Sequence, residues 1–535
     1  MNVRFAKAPT GNLRFRKPEK PDPFTGVQSD NKDITCTQII PETGLNILGD
    51  GAFYNNLSPI INQIIFSIGN FIWGYAQGGQ EDCLFLDVYV PGRIIRGETK
   101  TKVPVVTWIT GGAFLLGSKT FGGLYSYSHI IDEAKGGLVA VSINYRLGAL
   151  GWIAGPSVEK EGVTNLGLWD QRFALQWVQD NIHLFGGDKK QVNAWGESAG
   201  ASSILHHLIA FGGKQDPLFK RAILMSPAFQ PMGDRLLNGS QEQVFKKFEK
   251  YSGCSGKAFP CLRAAPLSAI SKANQRIQNE APRGSFAIGP ANDGRWSRQF
   301  AAAELKEKNV FKGIESLIVT TTAREGVIFV DGNVKNDADF DKFVVALFGS
   351  LAISTGFVDK LKAIYPPVGD GKGKYGNATA RSRDFIQDAA FTCNARYVNQ
   401  AYAGKTWAME YAEDPGWHGM DMIALYLRAN LKLGGRTIPL TSELGPLGRT
   451  YQSYWISHAI TGDPNTLSLK GKSKDYVPAV KWNKAPTLTG ESMVSLSSTC
   501  DVDKRSAHAD CLIGKCIEGA EWEVLHGQIR RGPEE

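Results

Sequence analysis

The chain has 535 residues and no run of eighteen apolar ones, which excludes an ordinary membrane-spanning helix. Its nearest approach, Leu57 to Tyr75, is broken by Pro59, Asn62, Gln63 and Asn70. There is no dense basic block: a formal charge of +8 over this length is mild, and nucleic acid is not an expected partner. None of the eight cysteines stands in a C-x-x-C or zinc-ligand spacing, so no metal site is expected. Internal repeats and low-complexity tracts are absent. The start, Met1-Asn2-Val3-Arg4-Phe5, has no apolar stretch of signal-peptide length. A single G-x-G-x-x-G, Gly371 to Gly376, follows Pro366-Pro367 rather than a strand and leads into a sequon rather than a helix. It reads as a surface loop, not a dinucleotide site.

What is present is ordinary for a soluble globular protein, with 42% hydrophobic and 21% charged residues. No linker divides the chain, so residues 1–535 are expected to form one domain. The even cysteine count suits disulfides, and three N-x-S/T sequons, at Asn56, Asn238 and Asn377, are possible glycosylation sites on a secretory route. β-rich apolar runs alternate with helical patterns, which predicts an α/β fold with a mostly parallel sheet and helices on both faces. Strands are expected at Val103 to Ile109, Leu138 to Ile143, Ala222 to Met225, Ser316 to Thr320 and Trp407 to Tyr411. Phe173, Ala174, Trp177 and Val178 repeat at helical spacing, in a helix stopped at Gly186-Gly187.

The most informative stretch is Gly196-Glu197-Ser198-Ala199-Gly200, between the apolar run Val192 to Trp195 and the helix-forming run Ala199 to Ala210. A serine on such a tight strand-to-helix turn holds its hydroxyl proud of the backbone. The flanking glycines avoid collision with a neighbouring strand or helix. A serine hydroxyl needs an adjacent base, usually a histidine oriented by a carboxylate. Of eight histidines, His183, His206, His207 and His458 lie in helical runs, His129 in an expected loop, and His508 and His526 in the polar C-terminal tail. His418 stands apart, in a loop after a strand, where α/β sheets place catalytic groups. The acid is expected between the two, also past a strand; Glu325 fits, while Asp421, three residues from His418, reads as a local turn or supporting group. Thr110-Gly111-Gly112-Ala113-Phe114 supplies an oxyanion-hole loop, with Gly112, Ala113 and Ala199 as the backbone donors.

With these parts in place the chain resembles the type-B carboxylesterase/lipase family of the α/β-hydrolase superfamily, which includes fungal lipases, carboxylesterases and cholinesterases. The nucleophile signature is matched from Phe185 through Gly200, departing only at Ala194. A second signature is matched by Glu81 to Pro91, and Asn144 to Gly148 and Tyr454 to Pro464 also read like the family. The similarity runs from about residue 5 to about residue 485. It implies an α/β-hydrolase fold with insertions forming a lid and gorge, disulfides Cys36–Cys83 and Cys254–Cys261, and structural ion pairs Glu81–Arg146 and Arg14–Asp170. It implies a third bridge from Cys393 to one of Cys500, Cys511 or Cys516, within or beside the polar tail 500–535.

Two departures stand out. The resemblance, the cysteines and the sequons imply a secreted protein, but the family's leading strand pair and signal peptide do not stand ahead of Ala8. The expectation is therefore a secreted protein with a truncated start, and the alternative is one that lacks an edge hairpin and is cytoplasmic. Ala113 also replaces a third glycine, which keeps the N–H but turns a methyl toward the acyl region. The disulfide-closed loop 37–82 carries Ile60, Ile61, Ile64, Ile65, Ile68, Phe71 and Ile72 at helical spacing. That face is either core or a lid offered to a lipid interface. Trp73 stands where cholinesterases bind choline, but Ile328 replaces their second aromatic, so a packing tryptophan is the better reading. The expected activity is a serine ester hydrolase acting on small-molecule or lipid esters without a cofactor. Alternatives are a lid-gated triacylglycerol lipase, a tailoring esterase of secondary metabolism, or an inactive cholinesterase-like adhesion protein.

Overall fold

The computed structural model describes residues 2–26, 32–40, 78–228, 239–281, 285–330, 333–348, 356–369, 374–413, 415–426, 430–433, 436–439, 444–468, 481–484 and 493–496. The strands are β1 (Val3–Arg4), β2 (Phe85–Tyr89), β3 (Val103–Ile109), β4 (Val139–Ile143), β5 (Gly187–Glu197), β6 (Arg221–Met225), β7 (Ser316–Thr322), β8 (Thr406–Tyr411), β9 (Asn430–Leu433), β10 (Arg436–Pro439) and β11 (Met493–Leu496). Nine of them form one sheet in the order β1-β2-β4-β3-β5-β6-β7-β8-β11, and β9 and β10 pair separately as an antiparallel hairpin. Pairing is antiparallel from β1 to β4 and parallel from β4 through β11.

The strand sequences explain why helices cover both faces. Every residue of β3 is buried, and successive side chains point to opposite faces. Val103, Val105 and Ile109 join one hydrophobic cluster while Val106 and Trp108 join another. The same split recurs at Ala222 and Leu224 against Ile223 and Met225, and at Leu317 and Val319 against Ile318. Helices α1 (Leu166–Asn181) and α2 (Ala199–Leu208) bury their apolar residues in the first cluster. Helix α8 (Leu444–Thr461) buries Leu447, Tyr451, Tyr454 and Trp455 in the second. A third cluster lies under α3 (Asp337–Phe348), α4 (Phe357–Ile364) and α5 (Ala378–Gln387). Beyond α5 come a π-turn (Asp388–Thr392), α6 (Cys393–Ala401) and, after β8, α7 (Met420–Tyr426).

The expected strands lie within a residue or two of those observed, except that the run Val192 to Trp195 is the core of an eleven-residue strand. His129, expected in a loop, lies in a short helix, Ser128–Glu133, whose Ile130 is buried. The edge of the sheet is held by β1, where Val3 and Arg4 pair with Leu86 and Phe85.

Both disulfides implied by the resemblance form, Cys36–Cys83 and Cys254–Cys261. Cys393 is disulfide-bonded as well, but Cys500, Cys511 and Cys516 lie outside the described residues. So do Asn56, Asn238, Trp73, residues 41–77 of the lid loop, and the tail 500–535.

The two ion pairs have exchanged partners relative to expectation. Arg14 makes a two-pronged contact with Glu81, Nε to Oε1 at 2.6 Å and Nη2 to Oε2 at 2.7 Å. Arg146 does the same with Asp170, at 2.7 Å twice. Arg14, Glu81 and Arg146 line one small cavity, so either arginine is near Glu81. The fork is decided by local geometry: Asp170, in the first turns of the helix Leu166–Asn181, also accepts the backbone N–H of Arg146 at 3.1 Å, so one carboxylate binds both the main chain and the side chain of that arginine. Removing one member of such a buried pair costs about 3–5 kcal/mol.

Candidate active site

Ser198 follows the last residue of β5 and precedes the first of α2. Its backbone sits at φ 55°, ψ −122°, outside the ordinary regions for a side-chain-bearing residue, a cost of order 1–3 kcal/mol. Three backbone bonds hold it there: Ser198 N–H donates to Met225 O at 2.9 Å, and Ser198 O accepts from Ser202 N–H at 2.9 Å and from Ala228 N–H at 3.5 Å. The flanking glycines are required by contact. A Cβ on Gly196 would lie 2.6 Å from the Gly200 backbone, and one on Gly200 would lie 2.1 Å from Ile109 O.

Parallel pairing of β7 with β8 brings the other two groups together. The ladder ends at Thr322 opposite Tyr411, and an isolated bridge beyond it pairs Arg324 with Trp417. Arg324 N–H donates to Gly416 O at 2.8 Å. The residues that follow the two bridge partners are Glu325 and His418. His418 Nδ1 lies 2.6 Å from Glu325 Oε2, and Nε2 lies 2.8 Å from Ser198 Oγ. Glu325 Oε1 accepts from Ser226 Oγ and from Thr322 N–H, both at 2.6 Å. With an ionised Glu325 the proton belongs on Nδ1, which leaves Nε2 free to accept the serine proton.

Burial alone would lower the His418 pKa, but the charges of Glu197 and Glu325 and the Glu325 hydrogen bond outweigh it and raise it to about 9. Glu197 is pushed up to about 8, mainly by burial; His418 draws it down, while Asp421 and Glu325 push it further up. Asp421, the alternative acid, is buried in the first turn of α7 and accepts from Tyr451 O–H at 3.2 Å. Burial raises its pKa to about 6, and it is Glu325 that meets the imidazole. His207 pairs with Gln171 at 3.1 Å and His458 with Ser316 at 3.0 Å, both away from the serine hydroxyl.

The loop after β3 has Gly112 at φ 107° and Ala113 at φ 55°. A Cβ on Gly112 would lie 2.2 Å from Leu116 O, so only glycine fits. Both residues are partly exposed. Among the described residues no protein acceptor takes the N–H groups of Gly112, Ala113 or Ala199. They are therefore available to a developing oxyanion.

Four residues at the site escaped the sequence reading. Glu197 lies within the serine motif itself, and Ser226 lies just past a strand; both positions could have been flagged by that rule. Phe329 and Phe391, whose rings lie 5.2 and 4.7 Å from the His418 ring, carry no local signal. Among the described residues no cluster of His, Cys, Asp and Glu is arranged to hold a metal ion.

A mostly parallel sheet bearing Ser, acid and His in that order at its strand ends defines an α/β-hydrolase. The model of the "Carboxylesterase family" matches residues 1–511, and the chain belongs to that family. It is 38% identical to the "Secreted lipase" of Arthroderma benhamiae, over 80% of this chain and 79% of that protein. It is 30% identical to the "Carboxylesterase patB" of Penicillium expansum, over 89% and 85%. Among solved structures, Aspergillus niger EstA superposes with a TM-score of 0.73 at 26% identity, covering 99% of this chain and 94% of that one.

Proposed function

We propose that the protein hydrolyses carboxylic esters with Ser198 as nucleophile, His418 as general base and acid, and Glu325 as the group that orients it. The observation that carries this reading is the unbroken contact chain Ser198 Oγ–His418 Nε2, His418 Nδ1–Glu325 Oε2, at 2.8 and 2.6 Å. Ser198 Oγ attacks the ester carbonyl carbon as His418 Nε2 takes its proton. The carbonyl oxygen becomes an oxyanion beside the N–H groups of Gly112, Ala113 and Ala199. Collapse breaks the ester C–O bond, and His418 returns the proton to the leaving alcohol. Water then attacks the acyl-serine with His418 as base, which frees the acid and restores the serine. Ser198→Ala should reduce hydrolysis of a short p-nitrophenyl ester at least about 10⁴-fold, and Ser198 should be the site labelled by a fluorophosphonate. Undiminished hydrolysis by Ser198→Ala would overturn the assignment.

The Arthroderma relative's name favours a second reading, hydrolysis of long-chain glycerides at a lipid interface through the loop 37–82. A rate jump above the solubility limit of a triacylglycerol separates it from the short-chain reading. The two disulfides and that same relative support export, with exposed Asn377 as the sequon open to glycosylation. Asn377 caps α5 through its side-chain oxygen, which accepts from Ala380 N–H at 2.8 Å and leaves the amide nitrogen for a glycan.

A further inference from the structure

The continuous helix α5–π-turn–α6 touches three loops of the site at once. Its α5 backbone lies so close to the turn after Glu325 that a Cβ on Gly326 would be 2.0 Å from Arg383 O. Asn394, in α6, donates to Pro227 O at 3.1 Å, beside Ser226, whose hydroxyl holds Glu325. Between them, the π-turn carries Phe391, buried, with its ring 4.7 Å from the His418 ring and 5.3 Å from that of Phe329. A π-turn inserts a residue into the helical repeat, and single π-turns recur at functional sites. One inserted residue rotates everything beyond it by about 100° about the helix axis. The insertion has its own anchor: Tyr365 O–H, from the end of α4, donates to Asp388 Oδ2 at 2.8 Å.

We propose that Phe391 is a positioning residue for His418, and that the π-turn Asp388–Thr392 exists to seat its ring against the imidazole. This rests on the reading of His418 as the base. The imidazole is tethered at Cγ and bonded at both nitrogens, and whenever one of those hydrogen bonds opens, as in proton transfer, it can swing about its Cα–Cβ and Cβ–Cγ bonds. Phe391, backed by Phe329, closes one side of that swing and keeps water from the ring. A lost seat therefore has two consequences. The imidazole is misaligned in the transition state, which lowers kcat more than it raises KM. Water also reaches the ring, which relieves the burial that holds the His418 pKa down, while Glu325, Glu197 and Asp421 stay where they are.

The test is the kcat, KM and pH profile of Phe391→Ala, with Phe391→Leu restoring apolar cover and Phe385→Ala as the packing control. Phe385 is buried in the same third cluster, against Phe340 and Tyr365. Phe391→Ala should lower kcat roughly ten- to a hundredfold with KM little changed. Its acid limb should move to higher pH, and Phe391→Leu should recover most of both. Phe385→Ala should lower the melting temperature and leave the pH profile alone. Deleting Ala389, which turns the π-turn into plain helix, should reproduce the Phe391→Ala profile. If Phe391→Ala does not fold, Phe391→Leu must still show a partial loss in kcat for the proposal to stand. A wild-type kcat and acid limb in Phe391→Ala, beside an inactive Ser198→Ala, overturns the seat but not the triad. An active Ser198→Ala overturns the triad itself.

Discussion

Glu197 Oε1 lies 3.2 Å from His418 Nε2, the same nitrogen that meets Ser198 Oγ at 2.8 Å. The imidazole therefore stands between two buried carboxyls, Glu325 on one nitrogen and Glu197 on the other. An ionised Glu197 stabilises imidazolium, and so helps raise the His418 pKa to about 9. Neutral imidazole is the form that can take the serine proton, so wherever Glu197 is ionised this contact opposes that form. Glu197→Gln removes the charge and keeps the shape. It should move the acid limb of kcat/KM to lower pH by roughly one unit, as loss of a nearby opposite charge does. An acid limb left in place or moved upward in a pH–rate profile would contradict the arrangement.

Glu325 is held by more than the imidazole, and its two oxygens predict different losses. Oε2 meets His418, so Glu325→Gln removes the charge that fixes the Nδ1–H tautomer. A loss of about 10³- to 10⁴-fold in kcat is expected, with KM nearly unchanged. Oε1 accepts from both Ser226 and Thr322, so Ser226→Ala leaves one donor in place. That variant should lose about 1–3 kcal/mol of transition-state stabilisation, roughly ten- to a hundredfold. Equal losses in the two variants, measured on one p-nitrophenyl ester, would show that Ser226 does more than hold the carboxylate.

The parts of the site that the chain order announces are those at the ends of parallel strands. Ser198, Glu325 and His418 each follow an apolar run, and parallel strands deliver their carboxyl ends to one edge of a sheet. The bridge Arg324–Trp417 shows how closely register carries this through, since each bridge partner immediately precedes a site residue. Pairwise contacts across the fold were not legible in the same way. The resemblance named the four residues of the two ion pairs but assigned the wrong partners, because Arg14, Glu81 and Arg146 crowd one cavity. Phe391 was invisible because its position depends on one extra residue in a helix, and no composition or period marks a π-turn.

The elbow's geometry leaves no room at Gly200. A Cβ there would approach Ile109 O to 2.1 Å and Thr110 C to 3.1 Å, backbone atoms of the last residue of β3 and of the residue that follows it. Neither can move without shifting the loop 111–114 that follows. Gly200→Ala should therefore cost more than about 3 kcal/mol and abolish ester hydrolysis, despite the higher helix propensity of alanine. Gly404, where a Cβ would meet nothing within 4 Å, is the comparison. Its positive φ of 79° makes Gly404→Ala a strained change, yet one of only about 1–2 kcal/mol. Thermal melting of the two variants checks the order.

The two disulfides close loops of very different length, with sequence separations of 47 for Cys36–Cys83 and 7 for Cys254–Cys261. On a chain-entropy account the longer loop restrains the unfolded state more, by about 4 against about 2.5 kcal/mol. Replacing both cysteines of the longer loop by serine should thus lower stability by about 1.5 kcal/mol more than the same change in the shorter one. Denaturant midpoints at constant m-value give the comparison. A larger loss from the Cys254–Cys261 pair would assign its effect to native packing instead of chain entropy.

Acid should attack the core through its buried rings. Burial holds His206, His207 and His458 each to a pKa of about 3. The unfolded chain binds protons on these histidines below about pH 6.5, while the folded chain stays neutral there. Their contribution is therefore complete above about pH 6.5 and is lost as pH falls from there toward 3, by on the order of 1 kcal/mol per pH unit for each ring. Glu197 and Asp421, raised by burial to about 8 and about 6, act in the opposite sense over the upper part of that range. The slope must be read against a variant for that reason. His458→Gln keeps a hydrogen-bonding partner for Ser316 and cannot take up a proton. Its melting temperature should fall less steeply than that of the parent protein between pH 6.5 and 4. Parallel slopes would mean that His458 is already protonated, or water-exposed, in the folded state.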